Sequence, residues 1–250
     1  MKSFFQAGLM VCLLHTSQLL AADDCGEAQA SSIWMATEER LASLFDIKVS
    51  TPPKFVIYKT AQDLPKQSGD MVIGYYDHDS KEISVACYDG DTSVFAQNVR
   101  HESTHYYLQM AFGNPPGWLD EGLAAYMETG AMGEGTPEQH LNKKRLDEFV
   151  HLLRKARVPP LVSILEGDGF SRPSQFYAAS WALVFSLLHH DNQKIQTARR
   201  DQVRKLLQRV KAGESNPAVI NREFVSYVLQ ETHSVSSWQT KWHRQIWSLP

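Results

Sequence analysis

Residues 82–112 read EISVACYDGDTSVFAQNVRHESTHYYLQMAF, and the fold turns on them. Within this stretch the apolar spacing changes from two to three or four. Ile83, Val85 and Cys87 alternate with Glu82, Ser84 and Ala86, the period of a strand with one apolar face. From about residue 93 the pattern is helical, and Asp91, Thr92 or Ser93 can cap its start. It runs to about Phe112 and stops at Gly113-Asn114-Pro115-Pro116-Gly117, where glycine and proline cannot continue a helix.

Working upstream, Phe55 to Tyr58 and Met71 to Tyr76 are further strand-like runs, and Asp77-His78-Asp79-Ser80 reads as a hairpin loop before the strand at 82. Before them, residues 31–46 form an amphipathic helix with Ile33, Trp34, Leu41, Leu44 and Phe45 on the apolar side, broken by Thr51-Pro52-Pro53. Downstream, a helix starts near Trp118 and fades by Gly130. Others are expected over 137–156, 174–190, 196–212, 217–231 and 235–247, with Gly and Pro clusters interrupting at 158–173. Trp238, Trp242 and Trp247 are read as one core-facing stripe of the last helix. The order is a small α/β part and then a helical part. The expected fold is α+β, with a lobe over 23–113 that carries the helix at 93–112 and a helical lobe over 114–250.

Composition bounds the function. The chain has 250 residues, 43% hydrophobic and 21% charged. That suits one buried domain or two small lobes, and excludes disorder and collagen-like repeats. The formal charge of −3 offers no basic surplus for a phosphate backbone, so a dedicated nucleic-acid binder is excluded. The basic residues from Lys194 to Lys211 interleave with Val203, Leu206, Leu207 and Val210, which marks a surface helix.

The first residues have the layout of a secretory signal peptide over 1–22. Lys2 precedes an apolar run from Phe4 to Leu14, too short to span a bilayer, and Ala21 and Ala22 offer a cleavage site. No later segment is apolar enough to cross a membrane. An exported chain, periplasmic or secreted, keeps Cys25 and Cys87, and in an oxidising compartment two cysteines suggest one disulfide.

The chemistry lies in His101-Glu102-Ser103-Thr104-His105. Residues four apart share a helix face, so His101 and His105 can offer two imidazole nitrogens to one metal ion, with Glu102 beside them as a general base. A catalytic zinc needs a third protein ligand. The following helix, Trp118-Leu119-Asp120-Glu121-Gly122-Leu123-Ala124-Ala125-Tyr126, folds back beside the first and supplies it. Small residues Gly122, Ala124 and Ala125 permit close approach. Geometry alone allows either Asp120 or Glu121 as the ligand. His189-His190-Asp191 reads as a helix end rather than a second metal site, and His78 as a solvated loop residue.

Over residues 82–130, about a fifth of the chain, this arrangement resembles the gluzincin zinc metallopeptidases. More narrowly it is similar to small exported bacterial proteins called peptidase-MA-like. The resemblance rests on His101-Glu102-x-x-His105 followed by Trp118-Leu-x-Glu121-Gly122-Leu-Ala. It implies Glu121 as the third ligand of one zinc ion and a peptide or protein substrate, for a chain taken as a monomer. It also implies hydrolysis by a zinc-bound water whose proton goes to Glu102. Tyr177, in Phe176-Tyr177-Ala178-Ala179-Ser180-Trp181, is the candidate oxyanion donor, since gluzincins bring a tyrosine or histidine from the later helical lobe. The strand at 82–88 is a candidate edge for pairing with an extended peptide. The thermolysin branch carries an acidic residue four positions after the ligand glutamate. Here that position is Ala125, so a zinc histidine needs support from elsewhere, and Glu128 and Asp120 are the candidates. Two other functions fit the same residues: a catalytically silent zinc- or peptide-binding module of the cell envelope, and a zinc hydrolase of non-protein amides.

Overall fold

The computed structural model describes residues 25–65, 73–87, 90–130 and 137–250. The expected signal peptide over 1–22 lies outside them, as do Met71, Val72 and Tyr88 of the expected strands. The chain is α+β. Helix α1 (Glu27–Phe45) precedes strands β1 (Lys54–Tyr58), β2 (Gly74–Asp77) and β3 (Glu82–Ala86). Among the described residues the α-helices that follow are α2 (Thr92–Phe112), α3 (Gly117–Met127), α4 (Lys143–Arg154), α5 (Leu161–Glu166), α6 (Pro173–Leu188), α7 (Gln193–Lys211), α8 (Pro217–Thr232) and α9 (Val235–Trp247). Among the described residues no helix is long and apolar enough to cross a membrane.

The sheet has the order β1-β3-β2, with β1 parallel and β2 antiparallel to β3. The β2–β3 hairpin closes on Asp77, whose Oδ1 accepts the amides of Asp79 and Ser80 at 2.8 and 3.0 Å. β3 is therefore the central strand, which corrects its reading as a free edge for a peptide. The physical reason shows in its burial. Ser84 and Ala86 are as enclosed as Ile83 and Val85, so the strand is covered on both faces despite its alternating sequence. The outer strands are β1 and β2.

Of the three candidate caps, Asp91 starts α2, its side chain accepting from the amides of Ser93 and Val94. Gly113 ends the helix at φ 103°, a backbone that favours glycine. Two buried phenols tie α2 to the α1–β1 connection. Tyr106 donates to the Thr51 carbonyl at 2.9 Å, and Tyr107 to that of Ile47 at 2.6 Å. The expected disulfide is present. Cys25, just before α1, joins Cys87, just after β3, with the Cα atoms 5.7 Å apart.

The helical part surrounds α6, whose residues from Ala178 to Leu188 are all buried. A helix apolar all round belongs in the middle of a core. The interruption expected at 158–173 contains a short helix, α5, entered through Pro160 and ended by Gly167 at φ 79°. Proline before and glycine after a helix mark its ends as readily as its absence, and six residues leave little periodicity to read. In α9, Trp238 and Trp242 are fully buried but Trp247 is 54% exposed. The stripe breaks because five residues carry the chain about 140° round the helix. Ile246 takes the core position instead.

Gly122 has a different partner from the expected one. A Cβ built there would sit 2.6 Å from the Ser180 carbonyl oxygen and 2.6 Å from Val184 Cγ2, both on α6. The glycine thus lets α3 dock against α6, not α2. Gly122→Ala forces the two helices apart, and a cost of about 1–3 kcal/mol is expected. Chemical denaturation measures it, and an unchanged midpoint would refute the close-packing argument.

Candidate metal centre

α2 presents His101 and His105 one turn apart, their ring centroids 4.9 Å from each other. α3 folds back beside them and brings in Glu121. Its Oε2 lies 3.3 Å from His101 Nε2 and 3.7 Å from His105 Nε2. One ligand atom from each of the three residues falls within 4.8 Å of the others, a group that could hold a metal ion. The Glu121 Oε2 atom is buried and accepts no hydrogen bond. A buried carboxylate oxygen without a partner is costly, and a cation between the three residues would supply one. Ligands at ~2.0–2.1 Å from one tetrahedral ion stand about 3.3 Å apart, and the two Glu121 contacts are close to that spacing.

Asp120, which geometry left open as a ligand, has another place. Its Oδ1 lies 2.9 Å from His105 Nδ1, while Glu128 Oε1 lies 3.0 Å from His101 Nδ1. Each imidazole thus meets a carboxylate through Nδ1, so a ring that gives up one proton to a metal keeps the other there and turns its Nε2 lone pair toward Glu121. The position of Ala125 explains nothing further, because both histidines are already served. At 100° per residue, positions 120, 121 and 128 fall within about a quarter-turn of one another. One face of α3 and its first following residue therefore carry all three carboxylates.

The charges are arranged for a cation. Burial opposes protonation of His101, but the neighbouring carboxylates of Glu121 and Glu128 outweigh it and hold the ring well above its usual value. Burial likewise opposes charge on His105, and Asp120 and Glu121 bring it up to about 9. Burial also pushes Glu128 up, yet His101 and Arg145 bring it down to about 2. For Glu121, burial is outweighed by His105 and His101, and its carboxyl lies below the usual range. Glu102 moves the other way. Burial raises it most, against the opposing pull of His101 and His105.

Glu102 is 7% exposed and faces β2. A Cβ on Gly74 would lie 3.4 Å from Glu102 Cγ. The hairpin is fastened over α2 by Tyr76, whose hydroxyl donates to Gln109 Oε1, and by Gln109 Nε2, which donates to the His78 carbonyl at 3.2 Å. His78 itself is exposed. Tyr177, on α6, is half-buried with its ring centroid 6.1 Å from that of His101.

Two neighbours of the centre were not singled out from the sequence. Asn142 caps α4 and donates to Glu128 Oε2 at 2.6 Å. Arg145 grips the same carboxylate, Nη2 to Oε1 at 2.6 Å and Nε to Oε2 at 3.3 Å, with its guanidinium over the Tyr177 ring at 5.4 Å. An Asn before a basic amphipathic run is a cap signal, but nothing in one sequence links Arg145 to Glu128. His189 is buried and bonded through Nε2 to the Tyr126 hydroxyl at 2.9 Å, and burial pushes it down to about 3. His190 Nδ1 accepts the Asn192 amide at 2.9 Å. Among the described residues this pair joins no group able to hold a metal.

Residues 95–208 are similar to a protein family described as "Protein of unknown function (DUF1570)". The match runs from within α2 to within α7 and includes His101, Glu102, His105, Asp120, Glu121, Glu128, Arg145 and Tyr177. No curated protein and no solved structure matches the chain.

Proposed function

We propose that this chain is an exported zinc metallopeptidase, with His101, His105 and Glu121 as metal ligands and Glu102 as general base. The observation that carries the reading is the convergence of two imidazole Nε2 atoms on a buried, unpartnered carboxylate oxygen. Export rests on the layout of residues 1–22 and on a disulfide suited to an oxidising compartment.

A zinc ion held by these three side chains supplies Lewis-acid polarisation of a scissile carbonyl and lowers the pKa of water toward ~7. Glu102 takes the proton of the attacking water and delivers it to the departing amine. Burial raises its carboxyl above the ordinary value, which makes the carboxylate a stronger base. Tyr177 Oη donates a hydrogen bond to the oxyanion of the tetrahedral intermediate. Asp120 and Glu128 hold the two imidazoles in the ligating tautomer. β2 is an outer strand whose Gly74 lies beside Glu102, and its outer edge would offer backbone groups to an extended peptide.

The test is metal analysis of purified residues 23–250, followed by a mixed-peptide digest read by mass spectrometry. About one zinc per chain is expected, with cleavage that a chelator stops and added zinc restores. A folded chain that takes up no metal overturns the proposal. One zinc with no cleavage of any peptide supports the silent binding module in its place.

A further inference from the structure

The metal reading uses Glu128 through one of its oxygens, but the structure surrounds that carboxylate far more closely than one hydrogen bond requires. Oε1 meets both His101 Nδ1 at 3.0 Å and Arg145 Nη2 at 2.6 Å. Oε2 meets Asn142 Nδ2 at 2.6 Å and Arg145 Nε at 3.3 Å. Glu128 stands just past the last turn of α3, where a helix end frays most readily. Its own backbone is held too, the carbonyl accepting from Arg100 Nη1 at 2.9 Å. Arg145 belongs to the first turn of α4 and is 8% exposed. Asn142 Oδ1 accepts its amide at 3.2 Å, so the residue that caps α4 also grips Glu128. On its other face the guanidinium covers Tyr177.

We infer that Arg145 is a positioning residue for the metal centre: its two-pronged grip fixes the plane of the Glu128 carboxylate, and through it the orientation of the His101 ring. The inference rests on the metal reading above and deepens it. A guanidinium is a planar fork that matches a carboxylate through two parallel N–H bonds, and a lysine ammonium is a point charge that cannot. With the fork in place, Glu128 has one orientation in which Oε1 accepts from His101 Nδ1. Without it, rotation about the last carboxylate bond swings Oε1 away, and the imidazole follows. Residues that orient a ligating histidine typically contribute 10–100-fold in metal affinity.

The experiment is zinc competition against a fluorescent chelator, run on metal-free wild type, Arg145→Met and Arg145→Lys, with thermal melts of each metal-free protein. Arg145→Met is expected to bind zinc about 10–100-fold more weakly than wild type. Arg145→Lys keeps the charge and should fall between the two. Cobalt-substituted Arg145→Lys should also show an altered visible absorption band, because the ligand geometry has changed. Should Arg145→Met fail to fold, the Lys variant decides the matter. Wild-type affinity and an unchanged cobalt spectrum in a folded variant, with a lower metal-free melting point, would make Arg145 merely structural and overturn the inference. Wild type that binds no zinc would instead overturn the metal reading itself.

Discussion

Glu102→Gln should lower the rate of peptide hydrolysis by about 10²–10⁴-fold, the usual contribution of a general base. Its zinc content should stay at that of wild type. The two expectations separate because of where Glu102 sits. Glu102 lies outside the group of ligand atoms formed by His101, His105 and Glu121, so its loss removes no bond to a metal. Glutamine has the same shape, and a neutral amide suits the burial that already disfavours the charged form. Stability should therefore hold, and only the proton acceptor is gone. Paired kinetics and metal analysis check this. A variant that hydrolyses peptides at the wild-type rate would place the base elsewhere. One that loses its zinc would give Glu102 a ligating part.

The second large effect concerns the disulfide. Breaking Cys25–Cys87, by reductant or by Cys25→Ser with Cys87→Ser, should lower stability by about 4 kcal/mol, from the loop-closure entropy of a 62-residue separation. At roughly 2–4 °C per kcal/mol for a chain of this size, the melting point falls by about 10 °C. The location makes the estimate reasonable. The bond fastens the start of α1 to the end of the central strand, four residues ahead of the Asp91 cap of α2. α1 covers α2 through contacts such as Trp34 against Tyr106, ring centroids 5.3 Å apart. Melts in the presence and absence of reductant give the difference directly, and coincident curves would show that the cross-link contributes nothing.

Much of the fold was legible because its signals are local. The change of period within 82–112, the proline-glycine turn at 113–117 and the apolar faces of α6 and α7 are each written in a short window. So was the pairing of His101 with His105, since a spacing of four on a helix decides which side chains share a face. Glu121 needed the resemblance, because Asp120 beside it is chemically as good a ligand. The structure separates the two by a rotation of about 100° along α3. Three features were not legible. β3 looks like an edge because its pattern alternates, yet pairing on both sides is decided by β1, which lies more than twenty residues away. Gly122 meets α6 and not α2, a choice made by tertiary packing. Arg145 reaches Glu128 across 17 residues, and no periodicity encodes such a pair.

α3 carries Asp120 and Glu121, with Glu128 just past its end, while both histidines sit on α2. Asp120 and Glu121 therefore reach the histidines together, while Glu128 has a separate hold on α4 through Arg145 and Asn142. A helix moves as a rod, so α3 is either seated with Asp120 and Glu121 both in register or displaced with neither. Any change that loosens its seat, even on the α6 side facing away from the histidines, divides the molecules into competent and incompetent ones. The measured affinity for metal then falls in proportion to the seated fraction. On the proposed reading, an ion held between α2 and α3 would draw that balance back and act as a reversible clasp on the same pair of helices that form its site.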